Sequence, residues 1–522
     1  MRKLMIVSLA SFAAALLIFD LVRDEAGDLA QPQQRVASAS PEARIAELER
    51  VARARPQDPE PLIELASTLL GLVRQGADTR NYVRADAALA DAIKRDPTSA
   101  AAYTERGILR LGRHDFRGAL TDGKRAHALA PDLVKPLGVL VDANIELGRN
   151  QEAGRVLQRM VDLKPNLDSY ARVAYLRELR GDLAGASEAL TLATSAGGEG
   201  PENVAFVQSL LGNLELAQRR PARARSAFSA ALAKVPGYSP AQAGLARVDI
   251  AAGRRDRAIR RLRDLVAQDP KQEYVVLLGE LQLAGGQTQA ARRTLAKVPD
   301  ELKRLEAAGE NTETEKALFE ADHGNVSRAV SAGRAAWANA PSVRAADALG
   351  WALTRAGNPR RGLTYARRAL RLGTRDPSFL FHAGMSAKAA GRDAEARRWL
   401  QQALAANPSF SPLHATAARK ALTAMWTANP RPANPSPAEP HAAPQNQQSR
   451  GAAGRTRLRQ RPSTQRPRRD RRSEVHASAA CSSRVARALT DGHDQPRLLF
   501  WRAKRCSLGA PTSLVNAVFR DV

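Results

Sequence analysis

The pattern of apolar and polar positions repeats along most of this chain with a period close to 34 residues. The stretch GRDAEARRWLQQALAANP (391–408) shows one half of the period: it opens with Gly, places Ala and Leu at helical spacing, and closes on Asn-Pro. Similar stretches occur upstream, each preceded by another amphipathic segment. Repetition at this period predicts a stack of helix pairs, because a single pair cannot bury its apolar faces alone.

A small residue marks the same position in the second helix of ten successive units, at intervals of 33, 34 or 38 residues: Ala85, Ala119, Ala153, Ala186, Ala224, Ala258, Ala291, Ala329, Gly362 and Ala396. The two intervals of 38 contain the insertions 195–203 and 299–311. We call each such recurring position a phase of the repeat. The residue at a second phase, in the first helix, is small in every unit except one, which has Val: Gly107, Val141, Ala174, Gly212, Ala246, Gly279, Ala317, Gly350 and Gly384. A third phase is small or aliphatic: Ala126, Met160, Ala193, Ala231, Leu265, Val298, Ala336, Ala369 and Ala403. Small side chains at these phases let helices approach closely, while Leu, Phe and Tyr fill the grooves between them.

These signals divide the chain. Residues 23–41 are interpreted as a linker, 42–55 as a leading helix, and 412–426 as a terminal capping helix, so that the predicted solenoid covers 42–429. Pro residues end the second helix of several units, since Pro cannot continue a helix: Pro97, Pro131, Pro165, Pro270 and Pro408.

The first 22 residues have the layout of an export signal. Arg2 and Lys3 precede an apolar run of 16 residues, 4–19, which is short for a membrane span of about 20. We interpret 1–22 as an uncleaved signal anchor that leaves the repeat domain outside the cytoplasm, in the periplasm or on the cell surface, or secreted if the signal is cleaved. The alternative is a buried N-terminal helix.

The last 93 residues differ in composition from the rest. Residues 430–522 hold 18 Lys and Arg against 6 Asp and Glu, and both cysteines of the chain, Cys481 and Cys506. A run such as RTRLRQRPSTQRPRRDRR (455–472) cannot bury enough apolar area to order itself, so we expect a disordered Arg- and Pro-rich tail. Two interpretations remain open: a functional basic arm, or an out-of-frame extension.

The repeat region resembles the tetratricopeptide repeat (TPR) family, in a bacterial membrane-anchored or exported form. The resemblance covers 57–408 and is carried by the period, the three small phases and Pro at the repeat boundaries, as in YTERGILRLGRHDFRGALTDGKRAHALAP (103–131). It implies an all-α fold: a right-handed superhelical solenoid of about ten helix pairs, with a concave groove lined by first helices.

In this family, residues that flank the first-helix small position face the groove. Carried onto this chain, they are Tyr175, Glu178, Ser209, Asn213, Asp347, Trp351, Thr354, Phe381, Met385 and Lys388. One subtype of the family clamps chaperone carboxylates with a Lys three residues before the small residue and an Asn just after it. Here Asn213 follows Gly212 but Ser209 replaces the Lys, so no clamp is expected.

No catalytic or metal-binding motif stands out: the sequence has no P-loop, no His-Glu-x-x-His and no Cys-x-x-Cys. His114, His127, His323, His382 and His414 are isolated, and we interpret them as surface or packing residues. The Arg-rich face GRRDRAIRRLRD (253–264) is interpreted as a solvated surface with ion pairs four residues apart. We therefore expect a protein that is not an enzyme, with no cofactor, no metal and no small-molecule substrate.

Three functions follow as hypotheses. The first is a scaffold for envelope assembly or trafficking that binds a protein or peptide in the groove. The second uses the net charge of +27, and above all the basic tail, to bind nucleic acid or another anionic polymer weakly. The third is a recruiting subunit of an enzyme complex.

Overall fold

The computed structural model describes residues 40–74, 78–196 and 200–427 of the chain. Throughout these ranges the regular secondary structure is α-helical, and the helices form a right-handed solenoid of repeated pairs. The predicted all-α solenoid is confirmed.

Ten helix pairs follow a leading helix, α1 (Pro41–Ala54). They are α2 (Glu60–Arg74) with α3 (Asn81–Arg95), α4 (Ala100–Gly112) with α5 (Phe116–Leu129), α6 (Lys135–Glu146) with α7 (Asn150–Leu163), α8 (Leu167–Leu179) with α9 (Leu183–Ser195), α10 (Pro201–Ala217) with α11 (Pro221–Lys234), α12 (Ser239–Ala251) with α13 (Arg255–Gln268), α14 (Gln272–Ala284) with α15 (Thr288–Leu295), α17 (Glu313–His323) with α18 (Val326–Asn339), α19 (Val343–Arg355) with α20 (Pro359–Ala369), and α21 (Pro377–Ala389) with α22 (Asp393–Ala406). An unpaired helix, α16 (Val298–Ala307), lies between the seventh and eighth pairs, and α23 (His414–Thr427) ends the stack.

The small residues at all three phases are buried in the structure, as the repeat pattern predicts. One contact shows why they must be small. The Phe228 ring of α11 packs against Gly212 and Gly244, and a Cβ atom on either glycine would lie 2.6 or 2.2 Å from the ring. Phe228 is fully buried as a result. Small residues on first helices therefore make room for a large side chain on the neighbouring second helix.

The turn between the two helices of a pair often contains a residue in the left-handed region. Gly148, Gly181 and Gly391 have φ of 71°, 78° and 73° there. Glycine suits these turns because it has no Cβ to clash with the backbone. In two units another residue takes that place: His114 with φ of 57° and Arg219 with φ of 61°.

The seventh unit departs from the pattern. Its second helix, α15, has only eight residues. The insertion 299–311, which the spacing located without assigning structure, contributes most of α16. Val298, assigned by phase to the second helix, begins α16 instead, although it is fully buried.

Late units of the solenoid contact early units directly. The backbone N–H of Asn311 donates to the carbonyl of Arg113 at 2.9 Å. Arg117 donates to the carbonyl of Asn339 at 3.1 Å, 222 residues away, and Arg371 to that of Gly148 at 3.3 Å, 223 residues away. The superhelix therefore winds tightly enough for its second turn to rest on its first. We call this line of polar contacts the inter-turn seam.

First helices near the seam are buried on every side. On α8 the run 169–177 is buried without a break, and on α19 the run 345–353 is also buried. Arg344 of α19 is hydrogen-bonded to Tyr175 of α8, so the two turns meet through their first helices. The sequence of α8 accordingly shows no amphipathic stripe, so it does not reveal that the helix has a second neighbour.

The predicted membrane location is corrected by the structure. Within 40–74, 78–196 and 200–427, no helix has the length and apolarity needed to cross a membrane. The predicted anchor 1–22, almost all of the linker 23–41 and the tail 430–522 lie outside the described residues.

Candidate functional site

The structure places the predicted C-terminal groove residues in the interior. Trp351 is 2% exposed and Phe381 is 1% exposed. The indole N–H of Trp351 donates to Asp322 at 3.0 Å, and its ring stacks on His382 with centroids 4.6 Å apart. The Phe381 ring stacks on His414 at 3.8 Å. These rings bind α19, α21 and α23 together, and none offers a free face to a ligand.

The polar members of the same set hold this interior cluster in place. A carboxylate oxygen of Asp347 lies 2.9 Å from Nδ1 of His382, at hydrogen-bond distance. The Thr354 hydroxyl donates to the carbonyl of Gly350 and lies 2.7 Å from the hydroxyl of Ser386. Met385 and Lys388, on the same helix as Phe381, are half-buried, and Met385 packs against the cluster.

Tyr175 and Glu178 of α8 lie at the seam rather than in an open groove. The Tyr175 hydroxyl donates to Glu146 at 3.1 Å and is buried. Burial raises the pKa of the Glu178 carboxyl to about 8, and the nearby Asp376 adds to the rise. Glu178 is therefore largely uncharged at neutral pH.

Ser209 and Asn213 of α10 border an open space. The Ser209 hydroxyl donates to the carbonyl of Ala205 within its own helix. Both residues line a cavity of about 250 Å³ on the inner side of the solenoid. A cleft of about 600 Å³ adjoins it and shares several of its lining residues. We call the two together the inner cavity.

The inner cavity is built by helices that are distant in sequence. Its walls come from α2 and α3 of the first pair, from α10, α12 and α14 near the middle, and from α16 and the segment that follows it. Its apolar wall includes Phe206, Leu210 and Leu305. Such a mixture of apolar wall and converging polar groups is typical of binding sites in proteins.

Arg74, in the last turn of α2, is the principal cation facing the cavity. Its Nη1 atom is buried, and no described residue accepts a hydrogen bond from it. Burial lowers the pKa of the guanidinium, and the negative charge of Glu202 opposes this shift more than any other group does. A buried guanidinium with an unused donor is costly, so an acceptor that enters the cavity is stabilised there.

Two tyrosines flank this guanidinium. Tyr82 and Tyr238 both line the cavity, and burial raises the pKa of each. The hydroxyls therefore stay protonated at neutral pH and are available as donors. Together with Arg74 they favour a ligand that brings acceptor oxygens.

The rim of the cavity carries ion pairs and one titrating carboxyl. Lys271 lies 3.3 Å from Asp269, and Arg304 lies 2.6 Å from Glu301. Burial raises the pKa of Glu310 to about 7, partly opposed by His114, whose ring lies 3.8 Å away. His114 also bonds the backbone of Asn311 at 2.9 Å, so the rim and the seam share residues.

In the described part of the chain, no cluster of three or more His, Cys, Asp or Glu side chains is arranged to hold a metal ion.

Two segments match tetratricopeptide repeat family models, residues 215–278 and 348–409. The first contains α11, α12 and α13, and the second contains α20, α21 and α22. This chain carries tetratricopeptide repeats. Such repeats generally act as protein–protein interaction scaffolds and are typically not catalytic. Among curated proteins, none matches the sequence.

Solved structures with similarity to the chain include other repeat proteins. A thermophilic TPR protein of Thermus thermophilus shares 21% identity over 34% of this chain and 92% of its own, with a TM-score of 0.31. The structure of pilF of Pseudomonas aeruginosa shares 19% identity over 42% of this chain and 96% of its own, with a TM-score of 0.31. A monomeric mutant of human IFIT1 with Gppp-AAAA shares 17% identity over 69% of this chain and 75% of its own, with a TM-score of 0.42. At these scores the likeness carries no conclusion about a ligand.

Of the predicted groove residues, Ser209 and Asn213 line the inner cavity, whereas repeat phase did not select its other lining residues Arg74, Tyr82, Tyr238 and Glu310. Repeat phase locates a residue within its own unit, but it does not say which units face each other across the superhelix. The loop GADTRNY (76–82), which follows Arg74 closely, is longer than the inter-helix loops of the other units, and this departure from the repeat pattern is the local signal in the sequence.

Proposed function

We propose that this chain is a protein-binding scaffold that takes a segment of its partner into the inner cavity. The observation that supports it is the convergence of Arg74, Tyr82 and Tyr238 beside an apolar wall, in a cavity that two of the predicted groove residues, Ser209 and Asn213, also line. A segment that combines an apolar side chain with a carboxylate matches both parts of the cavity. An envelope role depended on the predicted membrane anchor, so the proposal names no cellular location.

The proposal predicts that Arg74 controls capture of a partner. Full-length protein is used as bait in an extract of the source cells, and bound proteins are quantified by mass spectrometry. We expect a discrete partner whose recovery falls at least tenfold with Arg74→Glu, because a second carboxylate beside Glu202 repels the ligand's anionic group. Arg53→Glu is the matched control: Arg53 is exposed on α1, outside the lining of the cavity, and the charge change is the same.

Retention of the partner by Arg74→Glu contradicts the proposal, provided that circular dichroism shows the variant to be folded. A photo-crosslinking amino acid at position 213 gives an independent test. It should join the partner covalently, whereas the same group at the exposed Val83 should not.

A further inference from the structure

The outer surface of α11 and α13 carries an unusual concentration of positive charge. The segment 219–264 contains 12 Lys and Arg against 3 Asp, a net charge of +9 in 46 residues. Two of these cations, Lys234 and Arg247, line the inner cavity, and the other ten belong to α11, α13 and the turns before them. The whole chain of 522 residues carries +27. A third of the net charge thus lies in about a tenth of the sequence. We call this face, on α11, α13 and the turns before them, the arginine face.

A single buried carboxylate organises the centre of the arginine face. Asp249 of α12 is fully buried, and guanidinium groups from both outer helices converge on it. Arg225 of α11 lies 3.2 Å from Asp249, and Arg254, Arg257 and Arg261 lie 3.1, 3.5 and 3.7 Å away. One carboxylate thus neutralises one of four charges, and the cluster keeps a charge of +3.

The geometry leaves most of these donors unused. Only the contact from Arg225 also satisfies the geometry of a hydrogen bond to Asp249. Arg254 and Arg257 are about half exposed, at 46% and 53%, so their remaining N–H groups point to solvent. Asp249 therefore acts as a fixed support that holds neighbouring guanidinium groups at the surface, each with a planar set of donors available.

The surrounding charges are not neutralised either. Ion pairs four residues apart, expected along 253–264, do not form among the described residues: Asp256 and Asp264 are exposed and lie in no ion pair there. Arg260 and Arg263 are exposed on the same helix, and no carboxylate of the described chain pairs with them.

Another Arg-rich outer helix provides a contrast. On α20, Arg367 pairs with Glu395 at 2.7 Å, and Arg368 lies over the rings of Trp337 and Tyr365. Those arginines stabilise the fold itself. The other two arginines of α20, Arg360 and Arg361, are exposed and lie in no ion pair among the described residues, as do Arg255, Arg260 and Arg263 of α13. What distinguishes the arginine face is its density of charge and the guanidinium cluster on Asp249, which leave spare donors for an anionic partner from outside.

The chemistry of the face distinguishes between classes of anionic partner. Protein interfaces need an apolar or aromatic centre with few charges. The large hydrophobic side chains exposed in the described residues all lie elsewhere: Val83, Leu133, Leu163, Val326 and Trp426. Without such side chains the face also has nothing to insert into a membrane and no ring to stack on the bases of a single strand. Nucleic-acid interfaces, by contrast, are strongly positive and rely on phosphate contacts.

We propose that the arginine face binds the phosphate backbone of duplex nucleic acid, without recognition of base sequence. The site lies on the folded repeats and not in the basic tail, and it is separate from the inner cavity. Arg254 and Arg257, held by Asp249, form the centre of the contact, and the exposed arginines of α13 extend it along the backbone.

The test measures binding of a 24-base-pair DNA duplex to the full-length chain by fluorescence anisotropy between 50 and 200 mM NaCl. The face variant replaces Arg254, Arg257, Arg260 and Arg263 by Gln, which leaves Arg225 and Arg261 to pair with Asp249. A control variant makes the same charge change elsewhere, at exposed arginines that lie in no ion pair among the described residues: Arg53, Arg334, Arg360 and Arg361. The tail is present in every protein, so its contribution is constant.

We expect the face variant to bind at least tenfold more weakly at 100 mM NaCl. The slope of log K against log salt should also fall by about 0.9 for each phosphate that the variant no longer neutralises. The control variant should stay within about threefold of the parent. Equal losses in both variants, or no loss in either, overturn the proposal, because binding then follows net charge or the tail. Polyglutamate is tested in the same way. If it binds as tightly as the duplex and the face variant loses the same affinity for both, the nucleic-acid proposal is overturned in favour of an acidic protein partner.

Discussion

At the scale of single residues, burial and backbone conformation decide what each side chain can do. Trp351 and Phe381 looked like ligand anchors because they flank small first-helix positions. In the structure Trp351 donates a hydrogen bond to Asp322 and Phe381 stacks on His414, and both side chains are buried. Arg74 attracted no attention in the sequence, yet its Nη1 is buried and has no hydrogen-bond partner among the described residues, which makes Arg74 the strongest candidate for ligand contact.

Arg219 offers a test of local strain. It takes the left-handed conformation that glycine takes in equivalent turns, and that conformation costs a residue with a Cβ about 1–2 kcal/mol. Arg219→Gly should therefore raise the free energy of unfolding by about 0.5–1 kcal/mol, after allowance for the greater entropy of glycine in the unfolded chain. Urea denaturation measures the change. Arg223→Gly, in the first turn of α11, is the control and should be neutral or destabilising; a gain in both variants contradicts the explanation.

At the scale of elements, close approach between helices depends on the missing side chains of glycines. Phe228 occupies the space left by Gly212 and Gly244, and it joins α11 to first helices on both sides. The fit is tight because the ring is fully buried and the contacts would fall well below normal carbon separations.

Gly244→Ala should test this fit. The added methyl group would meet the Phe228 ring at 2.2 Å and force either the ring or α12 to move. We expect a loss of about 1–3 kcal/mol in the free energy of unfolding. Gly71→Ala is the matched control, since its Cβ has as its nearest neighbour the end of the Arg74 side chain at 3.4 Å, and helix propensity favours Ala. Equal stability changes for the two variants would rule out the packing account.

At the scale of the whole molecule, the inter-turn seam holds the second turn of the superhelix against the first. Its contacts are mainly hydrogen bonds and backbone approaches between residues about 200 positions apart. Breaking any one of these contacts costs little free energy, and together they determine how much of the first-helix face is accessible to solvent.

Gly148 is the place to open the seam. It has φ of 71°, and a Cβ there would lie 2.6 Å from the carbonyl oxygen of Pro341. Gly148→Ala should increase the radius of gyration measured by small-angle X-ray scattering. Gly391→Ala carries the same backbone strain at φ of 73° with no atom in the way, so it should lose stability without expansion. Expansion of both, or of neither, would show that the seam does not depend on this contact.

Buried carboxyls make the stability of the molecule depend on pH. Burial raises the pKa of Glu178 and Asp322 to about 8, and of Glu310 and Asp376 to about 7. Between the ordinary carboxyl pKa near 4 and these values, the folded state binds more protons than the unfolded state. The pKa of His382 is raised too, because the side chain pairs with Asp347. Loss of the proton from His382 therefore also lowers stability as pH rises.

The melting temperature should therefore fall by several degrees between pH 5 and pH 8, as these groups lose protons in the folded state. Differential scanning calorimetry of the full-length chain measures the trend. Glu178→Gln should melt higher than the parent at pH 8 and reduce the slope, because the amide cannot ionise in its buried position. A melting temperature that rises from pH 5 to pH 8 contradicts this account.

The sequence by itself determined the fold at the level of the unit. The period, the small residues at three phases and the prolines at repeat boundaries are local requirements of close helix packing, so each unit reports them independently. They located all ten pairs, and α1 and α23 begin within two residues of their predicted starts. They failed at α15 and α16, because an insertion breaks the phase on which such predictions depend.

Only the tertiary structure decided which surfaces are free. The winding of the superhelix is the sum of small rotations between many units, and no single unit encodes that sum. It buries Trp351, closes the seam, and brings Arg74 opposite α10 and α12 to form the inner cavity. It also places arginines of α11 and α13 around Asp249. Periodicity in one dimension specifies neighbours along the chain, whereas a binding site depends on neighbours across it.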